Sequence, residues 1–277
     1  MPRIVRPARS VLFAATGSSR SPAPLFNRRA LSPILSPDQL VGRLPPLDRS
    51  GAICVAASLS EDIAACRAAL LPLTSPAEHA RAAVFAQTAD AARHLLGRAL
   101  LRAVLRRELA GWTLPDAIPT NAWGKPELPG SGLEFSISHA GQAVWLAVTR
   151  AAPIGIDIET AAACTDPLLL ADALHPQERA DIQRHAAAEA ERHFLRCWTR
   201  KEAVVKAVGS GLSCPLDGFR VRTDDFPRDW LQIPPPDRPA RWTCCDLPAP
   251  PGYHASLAAA CSGLSITHHP AFPWNER

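Results

Sequence analysis

No run of about 18 apolar residues occurs in the sequence, which excludes a helical membrane span of ordinary length. None of the eight cysteines (Cys54, Cys66, Cys164, Cys197, Cys214, Cys244, Cys245, Cys261) belongs to a C-x-x-C pair, and no Cys/His spacing suits zinc. They read as reduced core residues. The adjacent Cys244 and Cys245 do not make a redox pair, because neighbours on a strand point to opposite faces. Lysine is nearly missing, with three against 27 arginines. Strong net charge is missing too: the formal +4 arises in residues 1–50, where eight arginines face only Asp38 and Asp48, and the rest carries 22 basic and 24 acidic residues. A body so close to neutral lacks the basic face of a nucleic-acid binder and leaves room only for a local basic pocket.

What is present is ordinary for a globular chain of 277 residues, 47% hydrophobic and 20% charged, a length that suits two lobes. Residues 1–50 are rich in Pro, Arg and Ser and poor in acids, so they read as a poorly ordered extension. A transit peptide or a misassigned start codon would have the same composition. No signal-peptide core is found, and the expected location is the cytoplasm.

From residue 51 the pattern becomes regular. Residues 52–59 read as a strand and a helical region follows, with Ser75-Pro76-Ala77-Glu78 as N-cap, first-turn proline and N3 acid, and apolar residues at helical spacing through Leu105. Residues 133–138 and 143–149 read as strands joined by a hairpin turn over residues 139–142. A third strand spans residues 154–159. A second helical region opens at His175-Pro176-Gln177-Glu178 and closes at Gly209. The two regions resemble one another: Pro76-x-Glu78 precedes Ala91-Ala-Arg-His-Leu-Leu96, and Pro176-x-Glu178 precedes Ala190-Glu-Arg-His-Phe-Leu195. Such a repeat predicts an α+β fold of two similar lobes related by pseudo-two-fold symmetry, each a small, mostly antiparallel sheet packed with a long helix, with a ligand cleft between them. Coincidence between Ala/Leu/Arg-rich helices is the competing explanation. The expected boundaries are an extension over 1–50, lobes over 51–150 and 151–265, and a tail over 266–277.

Two segments carry candidate chemistry. In Ile154-Gly-Ile-Asp-Ile-Glu159 the isoleucines alternate with Gly155, Asp157 and Glu159, so both carboxylates share one face, close enough to reach one cation. Alone, the segment reads equally well as a solvated edge strand. In the helix Trp198-Thr-Arg-Lys-Glu-Ala-Val-Val-Lys206, the residues Trp198, Glu202 and Lys206 fall on one stripe, where an exposed ion pair is the plain alternative. All three lysines (Lys125, Lys201, Lys206) lie in the segments singled out here, as though a compact, tunable ammonium were kept where guanidinium cannot serve.

These segments resemble the signatures of the larger, pseudo-dimeric (Sfp-type) 4′-phosphopantetheinyl transferases: a G-I-D-x-E strand (Gly155–Glu159) and a W-x-x-K-E-x-x-x-K helix (Trp198–Lys206). Two weaker family elements occur in order, Trp123-Gly-Lys-Pro-Glu127 and Phe135-Ser-Ile-Ser-His-Ala-Gly141, and the resemblance covers roughly residues 52–264. It implies transfer of the 4′-phosphopantetheine arm of coenzyme A to a serine of an apo acyl- or peptidyl-carrier protein, with release of adenosine 3′,5′-bisphosphate. It further implies magnesium, with manganese able to substitute, on Asp157, Glu159 and Glu202. Coenzyme A contacts are implied at Ser138 and His139 for the 3′-phosphate, at Lys125 and Pro126 of the G-K-P turn, at Arg81 and Arg93 of the first-lobe helices, and at Asp157 and Lys206. Glu202 is the expected general base and Lys206 the group that neutralises the leaving nucleotide. Relatives often carry a further lysine just after the Ser-Pro helix start, where this chain has Glu78. The expected partners are the carrier protein and coenzyme A, with no nucleic acid and no membrane, and the duplication implies a monomer. A non-catalytic carrier-binding module on the same scaffold is the alternative. A two-carboxylate nuclease is disfavoured by the near-neutral body.

Overall fold

Strand alternation builds two different cores in this chain. A computed structural model describes residues 41–270, apart from residues 165 and 237. In β1 (Gly51–Ser58) the side chains of Ile53, Val55 and Ala57 enter one apolar cluster while Ala52, Cys54 and Ala56 enter another. Strand β3 (Ala143–Thr149) divides the same way, with Val144, Leu146 and Val148 against Ala143, Trp145 and Ala147.

The first sheet has the order β2-β3-β1-β9, with β2 at Glu134–Ala140 and β9 at Ser265–Pro270. Its outer face is covered by α1 (Ile63–Leu70), α2 (Pro76–Ala83) and the 21-residue α3 (Thr88–Glu108), which buries Leu95, Ala99 and Leu100 among others. The second sheet has the order β4-β8-β7, from β4 (Ile154–Thr160), β7 (Thr243–Asp246) and β8 (Tyr253–Ala259). Over it lie the four-residue α4 (Pro167–Leu170), α5 (Pro176–Gln183) and the 22-residue α6 (Ala187–Val208). A short ladder pairs β5 (Arg220–Val221) with β6 (Leu231–Ile233). Both main sheets contribute to a shared central cluster that includes Cys54, Trp145, Ile156, Ile158 and Leu257. This is an α+β architecture of two small sheets, each backed by one long helix.

The repeat read from the sequence corresponds to a repeated arrangement of helices. Each helix pair opens on a capping box: Ser75 with Glu78 in α2, His175 with Glu178 in α5. Each N3 glutamate is buried and pairs with a cation of the following long helix. Glu78 meets Arg102 at 2.7 Å, and Glu178 meets Lys201 at 2.9 Å. Each of the two helical regions of the sequence comprises a short and a long helix, divided at residues 84–87 and 184–186.

Three expectations change. The hairpin is tighter than residues 139–142, because β2 continues through Ala140 and only Gly141, in the left-handed region at φ 52°, and Gln142 turn the chain. His139 therefore sits in a strand. At the far end, residues 266–270 of the expected tail belong to β9, which runs parallel to β1 and so completes the first sheet. At the near end Val41, Leu44 and Leu47 are buried in the first core, so the extension ends earlier than residue 50. Residues 1–40, where the targeting and disorder readings fall, and residues 271–277 lie outside the described residues. The cysteines are free thiols, and Cys244 and Cys245 enter the second and the shared cluster respectively, on opposite faces of β7.

Candidate active site

Gly155 sets how closely α6 approaches β4. A Cβ built on it would lie 2.0 Å from the Ala203 carbonyl oxygen and 2.9 Å from the Lys206 Cβ, so the helix rests on the strand backbone at a distance only glycine allows. That contact brings Lys206 over Asp157: the ammonium donates to Asp157 Oδ1 at 2.6 Å and to the Ile156 carbonyl at 3.0 Å. Asp157 is fully buried, whereas Glu159, Glu202 and Lys206 are half-buried. Trp198, at the start of the same stripe, packs into the second core against Phe194.

The seam between the lobes is stitched by serine hydroxyls. Ser136 Oγ accepts from the Ile156 amide (3.2 Å) and Ser138 Oγ from the Ile158 amide (3.1 Å), two hydroxyls standing where a neighbouring strand would offer carbonyls. The Ser138 hydroxyl also donates to Asp157 Oδ1 at 2.9 Å. Ser138 is wholly buried, and its side chain holds Asp157 in place. His139, the next residue, is half-buried.

Around this seam the other predicted residues fall into two groups. Arg93 donates to the Gly141 carbonyl (2.6 Å) and pairs with Asp90, which places its guanidinium at the hairpin turn. Arg81 is exposed, its guanidinium 5.4 Å from the Phe85 ring centre. Lys125 reaches the other end of α6, 3.3 Å from the Ala207 carbonyl and 3.4 Å from that of Ile154, and burial lowers its pKa from 10.5 against the pull of Glu134 and Glu127. Its turn is built on Asn121, whose Oδ1 accepts from the Trp123 and Lys125 amides while Nδ2 donates to the Gly209 carbonyl at 2.9 Å. Pro126 is half-buried and forms a bridge with Thr120. The W-G-K-P turn of the first lobe thus caps the C-terminus of the helix that carries Glu202 and Lys206.

Lys201 departs from the idea that every lysine is reserved for ligand chemistry. It is completely buried, donates to the Leu216 and Phe219 carbonyls at 2.6 and 2.7 Å, and neutralises Glu178. Glu78 is likewise a structural acid, serving the capping box and Arg102. Ser136, Asn121 and the Glu178–Lys201 pair went unnoticed in the sequence. The N3 position of each capping box was the one signal available for the buried glutamates.

Among the described residues, no group of three or more His, Cys, Asp or Glu side chains is gathered in a way that would hold a metal ion. The donor chemistry of Asp157, Glu159 and Glu202 does suit a hard cation, since all three are carboxylates on the contacting pair β4 and α6. A cavity of about 350 Å³ opens beside α6 and β8, lined by Arg196, Thr199, Asp246, His254 and Ser256 among others. No predicted site residue lines it, although His254 and Ser256 are the cross-strand partners of Glu159 and Asp157. Burial, with Arg196 nearby, pushes the His254 pKa down to about 4.

Comparison with known proteins agrees with the motifs. The sequence profile of the 4′-phosphopantetheinyl transferase superfamily matches residues 153–261. The chain is 32% identical over 203 residues to the 4′-phosphopantetheinyl transferase Sfp of Bacillus subtilis (strain 168), an overlap of 72% of this chain and 84% of that protein. It is 30% identical to a second 4′-phosphopantetheinyl transferase of Bacillus subtilis, over 64% of this chain and 80% of the relative. With the 4′-phosphopantetheinyl transferase psf-1 of Bacillus pumilus it shares 32% identity, over 61% and 72%.

Proposed function

The chain belongs to the 4′-phosphopantetheinyl transferase family, and on that premise we propose that it moves the phosphopantetheine arm of coenzyme A onto a serine hydroxyl of an apo carrier protein. The observation that carries the reading is the 2.6 Å contact of Lys206 with Asp157, which joins the two signature segments at the seam between the lobes.

In this reading Asp157, Glu159 and Glu202 would hold magnesium or manganese. When bound, the ion supplies charge neutralisation on the pyrophosphate oxygens. Glu202 accepts the proton of the attacking carrier serine, and Lys206, one turn further along α6, balances the charge that grows on the departing adenosine 3′,5′-bisphosphate. Arg93, which binds the hairpin turn, His139 of the adjoining strand, and Arg81 receive the nucleotide end. Lys125, lowered in pKa by its burial, exchanges its carbonyl partners for a coenzyme contact on binding. Ser138 serves by orienting Asp157. We further infer a monomer acting in the cytoplasm. No helix among the described residues is long and apolar enough to cross a membrane.

The test is the mass of an apo carrier protein incubated with the chain, coenzyme A and magnesium. A gain of one phosphopantetheine per carrier is expected. An unchanged mass across acyl- and peptidyl-carrier acceptors would leave only a binding module.

A further inference from the structure

The serine seam stops one step short of the hairpin. Ser136 receives the Ile156 amide and Ser138 the Ile158 amide, so the pairing advances two residues at a time along both strands. The next step would bring Thr160 to Ala140, and alanine has no hydroxyl to offer. Tyr253 takes over at this point. It is the first residue of β8 and the cross-strand partner of Thr160, and its ring reaches from the second lobe to Gly141 of the hairpin turn. A Cβ built on Gly141 would lie 3.3 Å from Tyr253 Cζ and 3.5 Å from Cε1, and nearer still to the hydroxyl oxygen. Position 141 thus excludes a side chain twice, through its left-handed φ of 52° and through the phenol that fills the space.

Both ends of this contact are anchored. The Gly141 carbonyl accepts from Arg93 at 2.6 Å and the Gln142 carbonyl from the Leu59 amide at 2.9 Å, which ties the turn to the first lobe. On the other side, the Tyr253 amide donates to the Pro250 carbonyl and the Ala161 amide to the Gly252 carbonyl, each at 2.9 Å, and the ring packs against the shared central cluster. Tyr253 is therefore fixed to the end of β4 that carries Glu159. Along their strands, His139 and Glu159 each fall between the Ser138–Ile158 hydrogen bond and the Gly141–Tyr253 contact.

We propose that Tyr253 is a positioning residue for the transfer. By wedging the Gly141 turn against β8, it sets the separation between the hairpin side, where His139 and Arg93 receive the nucleotide, and the carboxylates assigned to the ion. The proposal rests on the transferase reading. A substrate held at its nucleotide and at its pyrophosphate needs those two grips at one fixed distance, and about an ångström of error can cost about a hundredfold in rate. A phenol suits the task, being rigid beyond two side-chain torsions.

The experiment is steady-state kinetics with coenzyme A and an apo carrier protein, for the native chain, Tyr253→Leu and Tyr253→Phe. Leucine keeps an apolar side chain on the central cluster and does not reach the turn. Tyr253→Leu should raise the Michaelis constant for coenzyme A about tenfold and lower kcat/KM by about a hundredfold, with the constant for the carrier unchanged. Tyr253→Phe, which retains the ring, should recover most of the loss. A purely structural role would lower the melting temperature and the active fraction at a native constant for coenzyme A, and that result overturns the proposal. An equal rise in both constants overturns it too. Should Tyr253→Leu fail to fold, the native side chain decides, because the chain has a single tyrosine. Labelled as 3-fluorotyrosine it gives one fluorine resonance, which saturating adenosine 3′,5′-bisphosphate should shift; an unmoved resonance overturns the proposal. A native chain that modifies no carrier removes the transferase reading itself, whereas normal transfer by both the native chain and Tyr253→Leu overturns the positioning role alone.

Discussion

Gly155 and Ala203 meet backbone to backbone: the carbonyl oxygen of Ala203 occupies the place where any side chain at position 155 would begin, 2.0 Å from an ideal Cβ. The glycine of the G-I-D-x-E segment is therefore the contact surface on which α6 lies. Gly155→Ala should cost about 3 kcal/mol or more by forcing helix and strand apart, and it should abolish transfer in whatever folded fraction remains. Urea unfolding and the carrier mass-shift assay measure the two effects. A variant with native stability would show that the helix yields without loss.

The acid–base roles separate by variant. Glu202→Gln should lower kcat by about a hundredfold or more at saturating magnesium, the range for removing a general base, while the melting temperature stays within a few degrees because the side chain is only half-buried. Asp157→Ala should lose both activity and stability, since it strips Lys206 and Ser138 of their shared acceptor. Near-native turnover by Glu202→Gln would reassign the base.

At the seam, Ser136→Ala leaves the Ile156 amide without its acceptor and should cost roughly 1–3 kcal/mol. The Ser136 hydroxyl serves the Ile156 amide, so the loss should appear in chemical denaturation with the Michaelis constant for coenzyme A unchanged. A rise in that constant alone, at full stability, would contradict the stitching role.

Acid should destabilise the fold between pH 6.5 and 4. His94, His254 and His268 all have pKa values pushed down to about 4, first by burial. The unfolded chain takes up these protons as the pH falls below about 6.5 and the folded chain does not until about 4. Stability is therefore fully present above the unfolded value and falls through that window, by up to about 3 kcal/mol for each histidine before solvent screening. His268 lies on β9, away from the seam, and His268→Gln should flatten the pH dependence of the unfolding midpoint without altering turnover at pH 7.5. An unchanged slope would place the effect elsewhere.

Removing residues 265–277 should leave the first sheet with an open edge at β1. Concentration-dependent aggregation is the expected outcome, followed by light scattering, because a bare strand edge pairs with other chains. A monomeric, fully active truncation would make β9 dispensable.

Much of this arrangement was legible in residue order. Alternation in residues 154–159 gave the face that Asp157 and Glu159 share, helical spacing put Glu202 beside Lys206, and the duplicated Pro-x-Glu openings proved to be paired capping boxes. What was not legible depends on partners distant in the chain. Ser-Ile-Thr-His-His-Pro is short and mostly polar, and only the parallel edge of β1, more than 200 residues earlier, makes it a strand. Ser136 and Ser138 look like ordinary strand positions until the amides of β4 approach them. Lys201 resembles a ligand-binding lysine by motif, yet its role is set by Glu178 and two carbonyls of a loop beyond the helix.

The parallel pairing of β9 with β1 also sets an order of events during synthesis. Strands β1, β2 and β3 leave the ribosome long before β9, so the half made first must wait with one edge uncovered until the second half has been translated and has delivered its last strand. Neither half is a finished product by itself, and any chaperone that shields the nascent chain has the most to protect in that interval.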